Sequence, residues 1–298
     1  MVDLSIIILS YNTSEVTKRC ITSLYDSLLN QKRLSFEVIV VDNNSKDNSI
    51  QMLEELTYKY SSSEFSFHLI LQTTNTGYTK GNNIGLASSN GKYILFLNSD
   101  VIIDEIDFHV LLSEFEQNSN VGALTVRVNL PTGKIDPASH RGFPTVWNSF
   151  CYYFKLESIF SKIPYLKILF GGYHLIDKDL RVIHEIDSPT GAFYLTKKSI
   201  MDSIEGFDEQ FFMYGEDLDM SFRIKELGYK IIYFPKYEVL HLKYSSGIKT
   251  KNTNISKQTK HYFYDAMKLF FDKHYKSRYP SFIRYLVFLF IDIKYRLS

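Results

Sequence analysis

Three short runs of large apolar residues, each followed by a polar turn, constrain the fold of this chain most strongly. The runs are Ile6–Leu9, Val38–Val41 and Tyr93–Leu97. Apolar, mostly β-branched runs of this length are typical of strands that are buried on both faces. Helical stripes of apolar residues follow the first two runs, at residues 16–28 and 50–56. This alternation predicts an α/β fold with right-handed crossovers and a largely parallel sheet.

Polar side chains stand where each predicted strand ends. They are Tyr11 and Asn12 after the first strand, Asp42 and Asn44 after the second, and Asn98 and Asp100 after the third. Each turn alone is also typical of an ordinary loop, because Asn and Asp favour turns. Parallel strands point their carboxyl ends at one edge of the sheet, where open α/β folds bind ligands. Three polar strand ends therefore predict a nucleotide site, with a cation at Asp100 holding a diphosphate.

Composition narrows the classes of partner. With 298 residues, of which 45% are hydrophobic, we expect one large domain or one and a half. A net charge of +1 gives no general attraction to nucleic acid, so we expect no such partner. Two cysteines do not make a disulfide framework, which favours a reducing, cytosolic setting. Residues 1–3 carry no basic region, so we expect no signal peptide.

A glycine-rich segment, residues 75–85, lies between the second and third predicted strands. Gly81 and Gly85 are expected on a short helix that packs tightly against the sheet. Gly77, Tyr78 and Lys80 are expected to be exposed. Lys80 is equally compatible with a phosphate contact and with a solvated surface position.

A second polar cluster, residues 206–223, interleaves carboxylates with aromatic side chains before a helix that we expect to end at Gly228. Glu216, Asp217 and Asp219 fall in the first turn of that helix, where acids also complement the helix dipole. Apolar surroundings raise the pKa of a carboxyl group toward the range that suits a general base. Asp217 or Glu216 is therefore the predicted base.

Together these motifs resemble the family 2 glycosyltransferases, which are inverting enzymes of the GT-A fold, and especially their bacterial rhamnosyltransferase-like branch. The resemblance covers about residues 4–247 and rests on four segments in order. They are the turn at 10–12 with Asp42, the segment 75–83, the triplet 98–100 and the cluster 206–223. Residues 189–193 are similar to the segment that lies beside the acceptor site in that family.

The resemblance implies a role for each matching residue. The predicted donor-binding residues are Tyr11, Asn12, Asp42, Asn44, Gly77, Lys80, Asn83 and Asn98. Asp100 is implied as the main ligand of Mg²⁺ or Mn²⁺, His241 as a residue near the metal or diphosphate, and Asn98 as an auxiliary that replaces an aspartate. Asp217 is implied as the catalytic base, with Glu216 and Asp219 as its supporting neighbours.

The implied reaction moves a sugar, rhamnose or another hexose, from a UDP- or dTDP-sugar to a hydroxyl group. The acceptor is expected to be a glycan or a lipid-linked saccharide used in cell-surface polysaccharide synthesis. Residues 1–125 are the expected nucleotide-sugar-binding half and residues 126–247 the acceptor-binding half of one GT-A domain. Residues 248–298 are expected to form a helical extension.

Two aromatic segments outside the motifs leave alternatives open. Residues 143–175 are interpreted as a flexible acceptor-side region or as a small packed subdomain, and residues 249–260 as a mobile stretch. Residues 282–296 combine an apolar core with flanking basic residues, as in an interfacial membrane helix. A homodimer helix is the competing interpretation. The expected location is the cytoplasm, with peripheral attachment to the cytoplasmic face of the membrane if the helix binds lipid.

Other functional classes fit less well. A sugar nucleotidyltransferase of related fold typically carries a glycine-rich basic loop after its first strand, where this chain has residues 10–14. A catalytically silent sugar-nucleotide-binding protein would tolerate loss of Asp100, Glu216 and Asp217, and all three are present.

Overall fold

The computed structural model describes residues 2–29, 31, 34–61, 65–243 and 253–297. The described strands are β1 Leu4–Ser10, β2 Phe36–Asp42, β3 Phe65–Leu71, β4 Tyr93–Asn98, β5 Val101–Ile103, β6 Val121–Asn129, β7 His184–Ile186, β8 Phe193–Lys197 and β9 Lys230–His241. The helices of the first half are α1 Ser14–Leu28, α2 Ser49–Tyr60, α3 Gly77–Ala87 and α4 Phe108–Gln117. Those of the second half are α5 Val146–Tyr153, α6 Leu156–Phe160, α7 Pro164–Phe170, α8 Lys198–Ser203, α9 Glu216–Glu226, α10 Thr253–His274 and α11 Ser281–Leu297.

The described strands form one mixed sheet in the order β3-β2-β1-β4-β8-β6-β9-β5, with β7 paired to β9. Strands β1 to β4 run parallel, which confirms the three predicted strands and their crossovers. Strand β8 runs antiparallel to both β4 and β6, and β5 and β7 run antiparallel to β9. Because β4 and β6 are both antiparallel to β8, they run in the same direction, and β9 is parallel to β6. Strands β4 and β9 therefore end at the same edge of the sheet.

Helices cover both faces of the sheet. Helix α1 buries Val16, Cys20, Leu24 and Leu28, the stripe predicted from their spacing. On the opposite face, α3 lies so close to β1 that a Cβ on Gly81 would stand 2.4 Å from a methyl carbon of Leu9. A Cβ on Gly85 would stand 2.5 Å from a methyl carbon of Ile7. The predicted tight packing of this helix on the sheet is confirmed.

Replacing Gly91 by Ala is expected to destabilise the fold by about 1–3 kcal/mol, because overpacking a buried site forces the backbone to move. The new Cβ would lie 2.5 Å from the backbone nitrogen of Ser5 in the neighbouring strand. Gly81→Ala is the comparison variant, since its Cβ would meet the Leu9 side chain, which can move, rather than backbone, and the substitution gains helix propensity. Urea denaturation should show the larger loss for Gly91→Ala, and equal losses would contradict this reasoning.

Residues 143–175 and 253–260 are largely helical. Residues 143–175 contain the short helices α5, α6 and α7, joined by aromatic contacts such as Phe160–Phe170 with ring centroids 4.5 Å apart. The packed-subdomain interpretation therefore describes this segment. Residues 249–252 lie outside the described part of the chain. From Thr253 onward the segment is helical, and its predicted mobility stays a prediction.

The C-terminal helices pack against the rest of the protein. Helices α10 and α11 bury Phe270, Phe271 and Tyr275 together with Leu218 and Phe222 of α9. This agrees with the predicted helical C-terminal segment, whereas the boundary at residue 247 stays a prediction. Across the described ranges, none of the helices combines the length and apolarity that crossing a bilayer requires.

Candidate active site

The carboxyl ends of β1, β2, β4 and β9 bring most of the predicted site residues to one edge of the sheet. Tyr11 and Asn12 follow β1, Asp42 closes β2, Asn98 closes β4, and His241 closes β9. Asp100 directly precedes β5. Gly77, Lys80 and Asn83 lie on α3, and Glu216 and Asp217 open α9.

Asp42 offers an unused oxygen at the end of β2. The side chain is fully buried, and its Oδ1 accepts a hydrogen bond from the Ser45 backbone nitrogen at 2.8 Å. Its Oδ2 is also buried and has no hydrogen-bond partner among the described residues. A buried oxygen without a partner is costly, so this atom is well suited to accept a hydrogen bond from a ligand.

Asn12 and Asn44 shape the two loops beside Asp42. Both adopt positive φ, +53° and +67°, which asparagine tolerates better than most residues. Asn12 Oδ1 accepts from the Lys46 backbone nitrogen at 2.6 Å, and its own N–H donates to Ser45 Oγ at 2.9 Å. Asn44 Oδ1 accepts from Lys46 Nζ at 2.6 Å. These bonds join the two loops, and Tyr11 stands exposed beside them.

On α3, Gly77 is buried, so the prediction that it is exposed is wrong. Its φ is +85°, and a Cβ there would lie 2.7 Å from the Phe212 carbonyl oxygen. Asn83 is held by the same loop: its amide donates to the Phe207 carbonyl and its oxygen accepts from the Phe207 nitrogen, both at 2.9 Å. Lys80 is exposed. Packing against residues 207–212 therefore explains why glycine and asparagine stand at positions 77 and 83. Their predicted contacts with the nucleotide-sugar donor stay predictions.

Asp100 and His241 lie side by side because β5 pairs with β9. Val101 is opposite His241 in that pairing, and the Leu242 nitrogen donates to the Asp100 carbonyl at 2.9 Å. His241 Nε2 is 3.3 Å from Asp100 Oδ1. Nearby, Asn98 Oδ1 accepts from the Tyr78 hydroxyl at 2.9 Å.

Asp136 holds the other side of His241 and was not found from the sequence. Its fully buried Oδ2 is 3.3 Å from His241 Nδ1, and its Oδ1 accepts from Lys243 Nζ at 3.0 Å. Burial lowers the pKa of His241, but hydrogen bonds to Asp100 and Asp136 outweigh that effect and raise it to about 9. A carboxylate on one imidazole nitrogen is the usual support of a metal-ligating histidine. Within the described ranges no three His, Cys, Asp or Glu side chains form a metal-binding group.

Two left-handed residues, Tyr214 and Gly215, place Glu216 and Asp217 at the start of α9. A positive φ is strained for a bulky residue such as Tyr214, and such strain is common at functional sites. Glu216 Oε2 is buried and has no hydrogen-bond partner among the described residues. Burial, helped by the negative charge of Asp217, raises the pKa of Glu216 to about 8. At neutral pH this carboxyl group is therefore mostly protonated.

Asp217 pairs with Arg141, a second residue that sequence reasoning missed. Arg141 Nη2 donates to Asp217 Oδ2 at 2.6 Å and to the Pro189 carbonyl at 3.0 Å. The Leu218 nitrogen donates to Asp217 Oδ1 at 2.8 Å. Since Pro189 belongs to the predicted acceptor-side segment, Arg141 connects that segment to the carboxylate.

Tyr78 joins the end of β4 to the predicted acceptor-side segment. Its hydroxyl donates to Asn98 and lies 3.4 Å from the Gly191 carbonyl oxygen. Burial and the negative charges of Glu216, Asp217 and Asp100, in that order, raise the pKa of Tyr78 well above its usual value. At neutral pH the Tyr78 hydroxyl therefore keeps its proton and is available as a hydrogen-bond donor.

Asp219 has a structural role in the described chain. The side chain is fully buried and pairs with Arg223 at 2.8 Å, with Lys273 at 2.7 Å and with His274 at 2.8 Å. Lys273 and His274 belong to the end of α10. The predicted supporting neighbour of the base thus fastens the C-terminal helices to α9.

Glu216→Gln should change how stability depends on pH. A carboxyl group whose pKa rises from 4.5 to about 8 on folding favours the folded state fully below pH 4.5. That contribution is lost as pH rises toward 8, at no more than about 1.4 kcal/mol per pH unit. Urea denaturation between pH 5 and 8.5 should therefore show wild type losing stability relative to Glu216→Gln. Parallel profiles would contradict the raised pKa.

Comparison with known families gives two matches along the chain. The description "Glycosyl transferase family 2" matches residues 5–180, and "Glycosyl transferase family group 2" matches residues 177–291. The rhamnosyltransferase WbbL of Escherichia coli K12 is 26% identical over 243 residues, covering 79% of this chain and 82% of its own. The poly-beta-1,6-N-acetyl-D-glucosamine synthase of Staphylococcus epidermidis is 22% identical over 78% of this chain. The chain spans 48% of that synthase.

Solved structures show the same fold. Residues 1–349 of S. aureus TarS, in complex with UDP-GlcNAc, match with a TM-score of 0.56 at 18% identity, covering 90% of this chain and 65% of that one. GalNAc-T7 with UDP, GalNAc and Mn²⁺ matches with a TM-score of 0.58 at 12% identity, covering 81% of this chain and 44% of that one. The expected GT-A fold, with its helical C-terminal segment, is confirmed.

Proposed function

The chain belongs to glycosyl transferase family 2, and on that premise we propose that it transfers a hexose from a UDP- or dTDP-sugar, with inversion, to an acceptor hydroxyl. The names of the rhamnosyltransferase and synthase relatives support rhamnose or another hexose as the sugar. They also support an acceptor that is a glycan or lipid-linked saccharide of the cell surface. The observation that carries the proposal is a chain of contacts from the end of β4 to α9. The Tyr78 hydroxyl joins Asn98 to Gly191 of the acceptor-side segment, and Arg141 joins Pro189 of that segment to Asp217.

The nucleoside is proposed to bind at the ends of β1 and β2. The unpartnered Asp42 Oδ2 is suited to accept a hydrogen bond from the base or ribose. Tyr11, 40% exposed, offers a ring face beside it. The S. aureus TarS structures with UDP and UDP-GlcNAc support a nucleotide-sugar donor for this fold.

Asp100 and His241 fit a divalent cation. The Asp100 carboxylate oxygen and His241 Nε2 are 3.3 Å apart, and both are ligand types once a cation displaces the proton that Asp100 stabilises on Nε2. Asp136 supports the other imidazole nitrogen. Mg²⁺ and Mn²⁺ sites of this kind commonly complete their coordination with water and substrate phosphates. A bound ion would neutralise the charge that develops on the departing diphosphate. Asn98 is proposed as an auxiliary residue of the cation site rather than a main ligand, since its Oδ1 already accepts a hydrogen bond from the Tyr78 hydroxyl.

The α9 pair divides the proton chemistry. Glu216 holds its proton at neutral pH, so it is suited to donate a hydrogen bond to a sugar hydroxyl. Asp217, which forms an ion pair with Arg141, is proposed as the general base. It takes the proton from the acceptor hydroxyl while the oxygen of that hydroxyl attacks the anomeric carbon. One displacement inverts the anomeric configuration.

The configuration of the product tests the proposal. The purified chain is incubated with a panel of UDP- and dTDP-hexoses and Mn²⁺, and proton NMR follows the sugar first released by slow hydrolysis. We expect its anomeric proton to show the configuration opposite to that of the donor. If the released sugar instead keeps the configuration of the donor, a single displacement with Asp217 as the base is contradicted. Heat-denatured protein is the control for spontaneous hydrolysis.

A further inference from the structure

Helices α5–α7 and α11 present one continuous apolar surface, here called the aromatic face. In α5–α7 its exposed members are Trp147, Phe154, Ile163, Tyr165 and Ile168. Tyr165 is 86% exposed, and no residue of α7 is buried. Contiguous exposed apolar patches commonly mark interaction sites.

Helix α11 extends the same face. Its inner side packs Val287 and Phe288 against the protein, and Ile291 is buried. Its outer side exposes Phe282, Tyr285, Leu286, Leu289 and Ile293, which recur at helical spacing. A surface helix of a globular protein usually shows a polar outer side, so the outer side of α11 is available to an apolar partner.

Side-chain contacts join the two parts. The ring centroids of Tyr153 and Phe290 are 5.1 Å apart, and those of Phe154 and Phe290 are 6.2 Å apart. The Tyr153 hydroxyl is 3.6 Å from the sulfur of Met267 in α10. Segments more than a hundred residues apart in sequence therefore form one surface.

Cations border the aromatic face. Lys155, Lys162 and Lys167 lie on or between α5–α7, and the one acid of these helices, Glu157, is buried against His174. On α11, Lys294 stacks over the Tyr153 ring at 5.3 Å, and Arg296 is exposed beyond it. Surfaces that bind anionic bilayers combine these two features: apolar and aromatic side chains enter the headgroup region, and bordering Lys and Arg side chains attract the anionic lipids.

We propose that the aromatic face rests on the surface of an anionic phospholipid bilayer. A second copy of the chain fits less well, because a two-fold interface would bring the same lysines toward each other. Helix α5 begins five residues after Arg141, which contacts Asp217, so lipid contact at the aromatic face would place the α9 carboxylates near the membrane. That last point rests on the proposed function and favours a lipid-linked acceptor.

Vesicle co-sedimentation of the full chain tests the proposal. We expect binding to vesicles of phosphatidylcholine with about 30% phosphatidylglycerol, and much weaker binding to pure phosphatidylcholine. Lys162→Gln with Lys167→Gln should lower partitioning onto the anionic vesicles by about 25-fold, or about fivefold per lysine. Tyr165→Ser with Ile168→Ser and Tyr285→Ser should lower it by at least about tenfold. Tyr58→Ser, 92% exposed on α2, is the matched apolar control and Lys18→Gln the basic one.

Two results would overturn the proposal. Wild type could stay in the supernatant with anionic vesicles, or the face variants could bind as well as the controls. Analytical sedimentation of the protein without vesicles tests whether a second copy of the chain covers the face instead. If the wild type does not bind vesicles and is a dimer that Tyr165→Ser converts to a monomer, the aromatic face is a protein interface. Melting temperatures with nucleotide sugars, measured on the same proteins, report on donor binding separately. Loss of vesicle binding with intact donor binding therefore bears on the aromatic face alone.

Discussion

Asp217→Asn is expected to lower kcat by between about 100- and 10,000-fold, the range that a positioned general base contributes. The amide keeps the size of the carboxylate and can still accept a hydrogen bond from Arg141, but it cannot take a proton from the acceptor. The nucleotide-binding residues stand on other elements, so the dissociation constant for the donor should change by less than about threefold. Initial rates and calorimetric donor titration measure the two quantities.

Stability must be measured alongside, because the amide in Asp217→Asn leaves the Arg141 guanidinium without its countercharge in a site where both side chains are nearly buried. We expect a loss of about 1–3 kcal/mol in the free energy of unfolding, so rates are taken well below the melting temperature. Asp202→Asn, an exposed carboxylate on α8, is the matched control and should leave kcat unchanged. An Asp217→Asn protein with near-wild-type kcat would remove this residue from the chemistry.

Asp100→Ala is expected to abolish the effect of Mn²⁺ on donor affinity. Wild type should bind the nucleotide sugar more tightly with Mn²⁺ than without it, whereas the variant should bind equally weakly in both conditions. Asp136→Asn leaves both proposed ligands in place and removes the negative charge that supports His241 and pairs with Lys243. Loss of such support typically lowers metal affinity by about 10- to 100-fold, so this variant should require more Mn²⁺ for the same effect.

Calorimetric titrations with a fixed nucleotide sugar and increasing Mn²⁺ measure both variants. Asp104→Ala removes an exposed carboxylate four residues along the chain and should behave as wild type. An unaltered Mn²⁺ response in Asp100→Ala would contradict the assignment of the cation to the β4–β5 turn.

Local patterns predicted the parallel half of the fold well. Apolar runs identified β1, β2 and β4, and because parallel strands share an edge, the positions of Asp42 and Asp100 followed. The acidic first turn of α9 was also readable from sequence, since its carboxylates and its final glycine are local signals. The mixed half of the sheet was not, because the antiparallel pairing of β8 with β4 joins segments about a hundred residues apart.

The missed residues depend on contacts between distant segments. Arg141 reaches Asp217 because its backbone bridges Ser188, and nothing in the residues around Arg141 marks it as unusual. Asp136 reaches His241 across 105 positions and stands in a loop that reads as an ordinary turn. Gly77 was expected on the surface because the sequence gives no sign that Phe212 would cover it.

The resemblance to a family supplied what the residue patterns alone did not. His241 is unremarkable in sequence, and only the matching motif order placed it near Asp100, where the β5–β9 pairing puts it. Conversely, the raised pKa of Glu216 and the ion pair between Asp217 and Arg141 required the structure, because they depend on burial and on contacts between distant segments.

A thermal-shift screen of UDP- and dTDP-sugars, with and without Mn²⁺, tests the central claim most directly, namely that this sheet edge binds a nucleotide sugar through a cation. At a ligand concentration about 100 times the dissociation constant, binding adds about 2.7 kcal/mol, which should raise the melting temperature by several degrees. We expect that rise for at least one pyrimidine nucleotide sugar, larger with Mn²⁺, and absent in Asp100→Ala. No shift with any of these donors, or an equal Mn²⁺-dependent shift in Asp100→Ala, would contradict the account.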